Sequence, residues 1–509
     1  MQAPRFTLVP GMTPLDWMVM AVYGVAILGV GWYFAGRQRD ASDYFLGKHD
    51  LPWWAVMLSI VATETSALSV ISVPGIAART DLTFLQLPIG YLLGRIGVAL
   101  WLLPGYFTGQ QETAYARLEA RFGKATRRLA SGVFLSIRAL GDSVRVFATA
   151  IPLAIVTGWS LPVSVAAVVL VTVIYTWAGG LKAVVWVDLL QLGVYLFGAV
   201  ATLWVASQLA GGLGASLSRA SAAGKLHAID WRVSLTTPYS LLGGVIGGAL
   251  LSAASHGTDH MMVQRLLATP SLRDARRAIV GSGVVVIAQF AVFLLVGTLL
   301  WAAGADQGVS SGDEIYPRFM VNALPAGIAG LAVAGLLAAA MSTVSSSLNS
   351  LASASTHDFY APFTGRREPR HLLTVGRWLT LVWAMVLMGG ALSFGGNSQP
   401  VVEVALSIAS ITYGGLLGTF ILGGVSARVR QRDVIAAILV ASATMAVVVL
   451  VKPGSFRALA WPWYVPLGTA ITLAVGWGSS RVPGPGLRGP GAGSPPSDTG
   501  PPFPNAGRQ

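Results

Sequence analysis

Apolar runs close to 20 residues long recur from one end of this 509-residue chain to the other. A helix of that length crosses the ~30 Å hydrocarbon layer of a bilayer. Hydrocarbon offers no partner to a bare peptide group, so helices are the element such runs can form. Only 11% of the residues are charged, against roughly 25% in a soluble domain. The runs lie near 15–36, 52–76, 83–107, 128–156, 161–178, 183–208, 238–256, 277–303, 325–356, 372–395, 401–426, 433–452 and 461–479. The reading is an all-α polytopic membrane protein with about 13 transmembrane helices.

The net charge of +13 would suit nucleic acid on a soluble protein. Here it falls on alternate loops. About 22 Lys and Arg lie in the loops after the odd-numbered spans and in the tail, against about 8 on the other side. That puts the N-terminus external and the C-terminus cytoplasmic, and the expected location is the cytoplasmic (inner) membrane. The absence of cysteine excludes disulfides and thiol chemistry. No nucleophile motif, phosphate loop or nucleic-acid module is present, so the chain is not read as an enzyme and any uphill transport uses an ion gradient. The final 480–509 stretch is rich in Pro and Gly and reads as a disordered cytoplasmic tail. The 209–237 loop has room for a short surface helix.

Two spans carry interruptions. In 62–75 (ATETSALSVISVPG) polar residues precede Pro74-Gly75, and five spans later the 238–256 run holds Gly243-Gly244 and Gly247-Gly248. Broken helices at matching places in two blocks of five predict an inverted-repeat transporter; close glycine packing is the competing reading. The division is 1–36 for an external segment and accessory helix, 52–208 and 238–426 for the two repeats, and 433–479 for two accessory helices.

The run AAAMSTVSSSLNS (338–350) puts six hydroxyls and one amide into an apolar helix. Neutral oxygens without a row of acids suit a weakly held monovalent cation, whereas magnesium and calcium recruit carboxylates. Helix packing is the alternative use of such hydroxyls. Carbonyls of Ala62 and Thr65, freed where the second span unwinds, and the hydroxyls of Ser342 and Thr343 would complete a neutral cage. Glu64 must face the interior, because a charge in lipid is costly. Asp188, one turn into the sixth span, is either a helix N-terminal acid or a carboxylate on the ion's inward path. Arg265 reads as an anchor more than as a gate with Asp259. Arg138, Asp142 and Arg145 share one helix face in the fourth span. Asp142 neutralises one arginine, and the leftover charge either receives a carboxylate or joins a network reaching acids such as Glu403.

With these strings in view, ATETSALSVISVPG, YTWAGGLKAVVWVDLLQ (175–191), GTDHMMVQRLLA (257–268), DEIYPRFMVNALPAGIAGL (313–331) and AAAMSTVSSSLNS…THDFY, in that order, the chain resembles the sodium:solute symporter family over about residues 15–450. The resemblance implies a leucine-transporter-like five-plus-five inverted repeat. It implies a principal sodium site at Ala62, Thr65, Ala339, Ser342 and Thr343, and a second ion at Asp188, Ser345 and Ser346. It places substrate near Glu64, Ser66, Ser69, Gln86, Arg138, Arg145 and His260. Leu68 and Ser69 stand where a galactose-transporting relative has a Glu-Gln pair, and His260 stands where the family has Gln.

The expected function is sodium-coupled symport of a small polar organic solute (sugar, sugar acid, amino acid or monocarboxylate) by alternating access, with the protein acting as a monomer in the lipid bilayer and binding no nucleic acid. A proton-coupled symporter with Glu64 or Asp188 as carrier, and a non-transporting sensor, are the alternatives.

Overall fold

A computed structural model of the chain describes residues 12–36, 38–109, 111–394 and 401–481. The expected disordered tail lies outside them from residue 482 onward. The described residues form helices and loops without strands. The long helices are α1 (Pro14–Phe34), α2 (Trp53–Glu64), α3 (Ala67–Arg79), α4 (Gln86–Gly97), α5 (Lys124–Thr157), α6 (Leu161–Leu209), α7 (Gly248–Gly257), α8 (His260–Leu267), α9 (Leu272–Ala302), α10 (Ile328–Ala354), α11 (Pro369–Ser393), α12 (Val401–Val425), α13 (Gln431–Leu450) and α14 (Tyr464–Ser480). Eight helices among the described residues are long and apolar enough to span, or nine with the bent pair α2–α3. The expected thirteen is reached only by adding the charged α5, the second leg of α6, the short α7 and the 17-residue α14.

The second span is broken. α2 and α3 meet at 66°, and the two residues between them, Thr65 and Ser66, have extended backbones (ψ 96° and 167°). Pro74 lies inside α3 and does not make the break. The seventh span also differs from expectation. Its glycines form a widened helical turn at Gly243–Gly247, and the chain breaks later, at Thr258 and Asp259 between α7 and α8. The glycines serve close packing instead. A Cβ at Gly94 would fall 2.1 Å from the Ala249 carbonyl oxygen and one at Gly248 2.6 Å from that of Leu87, so α4 and α7 touch backbone to backbone. The 209–237 loop carries the expected short helix, Leu213–Ala222.

α6 is two spans in one. Gly180 (φ 60°, ψ −157°) turns the chain between its legs, and a Cβ there would meet the Tyr44 carbonyl oxygen at 2.5 Å.

α10 runs through the centre. Every residue from Ala338 to Ala354 is buried, so its hydroxyls face protein and must find partners there. α10 packs most extensively on α6. The buried Asp16 carboxylate of α1 accepts from the amides of Gly327 and Gly330, 2.7 Å each, and so caps the start of α10.

Candidate functional site

The break in the second span faces the hydroxyl row of α10. The Ser342 hydroxyl donates to the carbonyls of Ala62 (2.8 Å) and Ala339 (3.0 Å). The Thr343 hydroxyl reaches the carbonyls of Thr63 (3.0 Å) and Ala339 (3.3 Å). Four of the five residues expected at the principal ion site thus share one set of oxygens. The fifth, Thr65, sits at the end of α2, with its hydroxyl turned back to the Val61 carbonyl and its backbone extended. Thr63 joins through its carbonyl, which the sequence reading did not include. None of these donors is charged, and each hydroxyl lies in a span where bare oxygens are costly.

One helical turn further along α10 the chemistry changes. Asp188 is fully buried and accepts from the hydroxyls of Ser59 (2.6 Å) and Thr63 (3.3 Å) through one oxygen. The same oxygen pairs with Arg265 at 3.2 Å. Arg265 also donates to the hydroxyls of Ser59 and Ser346. It is therefore no surface anchor; its side chain has 0% exposure. Ser345 donates to the Ser342 carbonyl instead. Of the residues expected to hold a second ion, Asp188 and Ser346 share a guanidinium, and Ser345 bonds elsewhere.

Beside the break lies a cavity of ≈ 110 Å³. Glu64, Ser66, Ser69, Arg138, Arg145 and Thr343 line it. Its apolar wall includes Phe84, Leu251, Met261 and Phe290. Ile76 also lines a second cavity of ≈ 540 Å³ between the α3 end and the loops around Asp230 and Asp313.

Gln86 and His260 stand outside the smaller cavity's lining. The Gln86 amide donates to the Tyr239 carbonyl at 2.6 Å. The His260 ring sits between Tyr115 and Phe134 and reaches Ser353 at 3.1 Å.

The arginine face of α5 takes the network form, one of the two uses the sequence left open, with Asp259 as the acid on another helix. Asp142 holds both arginines: Arg145 donates to it and Arg138 lies 3.6 Å away. Arg138 also pairs with Asp259, the cap of α8, whose carboxylate accepts from the Tyr413 hydroxyl at 2.9 Å. The two arginines meet two acids, so no positive charge is left over. The Glu403 side chain lies outside those described. Arg138 is 6% exposed and doubly engaged, while Arg145 is 18% exposed with one carboxylate partner. The sequence reading missed Arg95, which pairs with Glu64 from α4 and donates to Ser282 at 2.7 Å. A lone arginine inside an apolar run was its signal.

The model of the sodium:solute symporter family matches residues 44–441. The chain belongs to the sodium:solute symporter family. It is 28% identical to the sodium/sialic acid symporter of Aliivibrio fischeri over 91% of this chain and 92% of the relative. The human sodium/iodide cotransporter is 29% identical over 80% of this chain, which spans 65% of that relative's length. A solved structure of a sodium-coupled sialic acid symporter, described as substrate-bound and outward-open with a novel sodium site, superposes with a TM-score of 0.83 at 26% identity, covering 92% of this chain and 98% of that one. The fold is accordingly leucine-transporter-like. This family member is a sodium-coupled symporter of a small solute, not an enzyme.

Proposed function

We propose that the protein imports a small organic acid together with one sodium ion. The charge balance around the cavity carries this reading. Glu64, Asp142, Asp188 and Asp259 are matched by Arg95, Arg138, Arg145 and Arg265. A sodium ion on the neutral oxygens of Ala62, Thr65, Ala339, Ser342 and Thr343 then adds one uncompensated positive charge. An isolated charge in a low-dielectric interior is expensive, and an anionic cargo offsets it. Arg145, on the cavity wall with a single carboxylate partner, is the guanidinium placed to take the cargo's carboxylate. Asp142 keeps Arg138 and the Ser347 hydroxyl when Arg145 turns away. Relatives named for iodide, sialic acid and monocarboxylates fit the same sign of charge.

One ion suffices in this scheme because Arg265 already stands on Asp188 and Ser346. The cycle is alternating access between repeats at 52–208 and 238–426, flanked by accessory segments at 1–36 and 433–479. The arginine-rich loops face the cytoplasm with the C-terminus, the N-terminus is external, and the monomer, sitting in the inner membrane, is the working unit. Sodium and cargo stabilise the same outward-facing state, which is what couples them.

Proteoliposomes with an imposed sodium gradient test the reading. Uptake of labelled monocarboxylates and sugar acids should require sodium and should not change when a potassium diffusion potential is applied, since one sodium and one monoanion carry no net charge. Preferred uptake of neutral sugars, or concentration of cargo by potential alone, would overturn it.

A further inference from the structure

His256, at the end of α7, is a cavity-lining group that neither the ion site nor the carboxylate contact uses. Its side chain is 2% exposed, and its Nε2 has no hydrogen-bond partner among the described residues. A buried ring nitrogen left unmatched is costly, so it marks a place where something else binds. Nε2 lies 3.7 Å from a Glu64 carboxylate oxygen, too far for a direct bond.

Which ring nitrogen carries the hydrogen decides what would bridge that gap. Nδ1 is 2.8 Å from the Ser255 hydroxyl, whereas that hydroxyl's alternative acceptor, the Ser252 carbonyl, is 3.4 Å away. The Glu64 carboxylate beside Nε2 favours the tautomer with its hydrogen on that nitrogen, and the Ser255 hydroxyl then donates to Nδ1. Nδ1 is then the acceptor and Nε2 carries the ring's hydrogen, an assignment made from the hydrogen-bond network. An N–H and a carboxylate oxygen 3.7 Å apart are the two sides of a triangle whose apex accepts from one and donates to the other. An alcohol hydroxyl does both, as does a water that such a hydroxyl would displace; a methyl group does neither, and an ammonium cannot accept. The Glu64 charge is already met by Arg95, which further favours a neutral donor over a cation.

We propose that His256 Nε2 and the Glu64 carboxylate form a hydroxyl-binding subsite of the cavity, so that the transported acid is a hydroxy acid. This rests on the cavity being the cargo site, as proposed above, and it adds the second pole of the cargo: carboxylate at Arg145, hydroxyl at His256 and Glu64. A site built to pair a substrate hydroxyl discriminates strongly against the analogue without it, because its own groups are then stranded.

The test uses the purified full-length protein in nanodiscs, with competition binding in sodium buffer for acid pairs that differ by one hydroxyl, such as lactate against propionate and gluconate against its deoxy analogues. Wild type should prefer the hydroxylated member of at least one pair by tenfold or more. In His256→Phe the ratio should fall to near one, and in His256→Gln, whose amide also donates, part of it should return. Thermal protection by sodium reports that each variant is folded. A wild-type ratio near one, or a tenfold ratio that survives His256→Phe, overturns the subsite. If no acid binds but a neutral polyol does, the organic-acid reading falls alone, and the same ratio measured on polyol and deoxy-polyol pairs decides the subsite.

Discussion

Two clusters of hydroxyls lie one turn apart on α10, and they handle positive charge in opposite ways. Around Ser342 and Thr343 every converging group is a neutral oxygen, and among the described residues no arginine or lysine bonds to them. Around Ser346 a carboxylate is present, and so is a cation tethered to the chain: Arg265 touches Asp188, Ser59 and Ser346. The first cluster pairs its hydroxyls with backbone carbonyls and brings no charge of its own, and it is there that we place the mobile ion. The second completes itself. A hydroxyl row in a membrane helix therefore specifies two kinds of site, and a basic side chain arriving from another helix separates them.

The largest effect should come from the self-completed cluster. Arg265→Met leaves the Asp188 carboxylate buried without its counter-ion, which costs about 3–5 kcal/mol of stability. A marked fall in thermal midpoint in detergent is expected. Saturating sodium should restore more of it than in wild type, because the ion can now replace the guanidinium. The pair Asp188→Asn with Arg265→Met should recover most of the loss. If Arg265→Met is as stable as wild type and has the same sodium response, the tethered-cation account fails.

The neutral cluster gives the next effect. Replacing both Ser342 and Thr343 with Ala removes two of its oxygens while changing no charge. The sodium concentration for half-maximal uptake should rise at least tenfold, about 1.4 kcal/mol, with normal insertion. Unchanged sodium dependence would move the ion elsewhere.

Arg145→Gln tests how far the charge balance extends. It should raise KM for the acid by roughly tenfold to a hundredfold, the loss of a charge-assisted contact of about 1.5–3 kcal/mol, while sodium affinity moves much less. Arg138→Gln should differ in kind, lowering stability through the stranded Asp259. Equal losses of acid affinity without destabilisation in both variants would mean that Arg138, too, meets the cargo.

What the sequence showed and what it hid divide along the same physical line. Length and apolarity are local, so the helical membrane class, the break near 62–66 and the hydroxyl row of 338–350 were legible. Partners of buried charges are not local. Arg95 stands 31 positions from Glu64, Arg265 77 from Asp188 and Arg138 121 from Asp259. The sequence establishes only that such groups face inward. Arg265 was therefore misread as an anchor, and for Arg138 and Arg145 the sequence offered a network with acids on other helices without pointing to Asp259 as its member. His256 escaped because nothing in its neighbours reveals that one ring nitrogen is satisfied and the other is not.

Pro74 carries the smallest expected effect and the clearest lesson about where the break comes from. As a helix breaker it was the natural suspect, yet α3 continues through it to Arg79. The bend belongs to Thr65 and Ser66, and it is held by the hydroxyls of Ser342 and Thr343 capping the carbonyls of Ala62 and Thr63. Pro74→Ala restores an amide to a helix that is already formed and removes a few buried carbons, so the two changes oppose each other. The thermal midpoint should shift by the equivalent of about 1 kcal/mol or less in either direction, with sodium affinity unchanged. If Pro74→Ala instead weakens sodium binding as strongly as the double alanine variant at 342 and 343, the unwound geometry depends on the proline, and the pairing of broken helix with hydroxyl row is not what holds the ion site open.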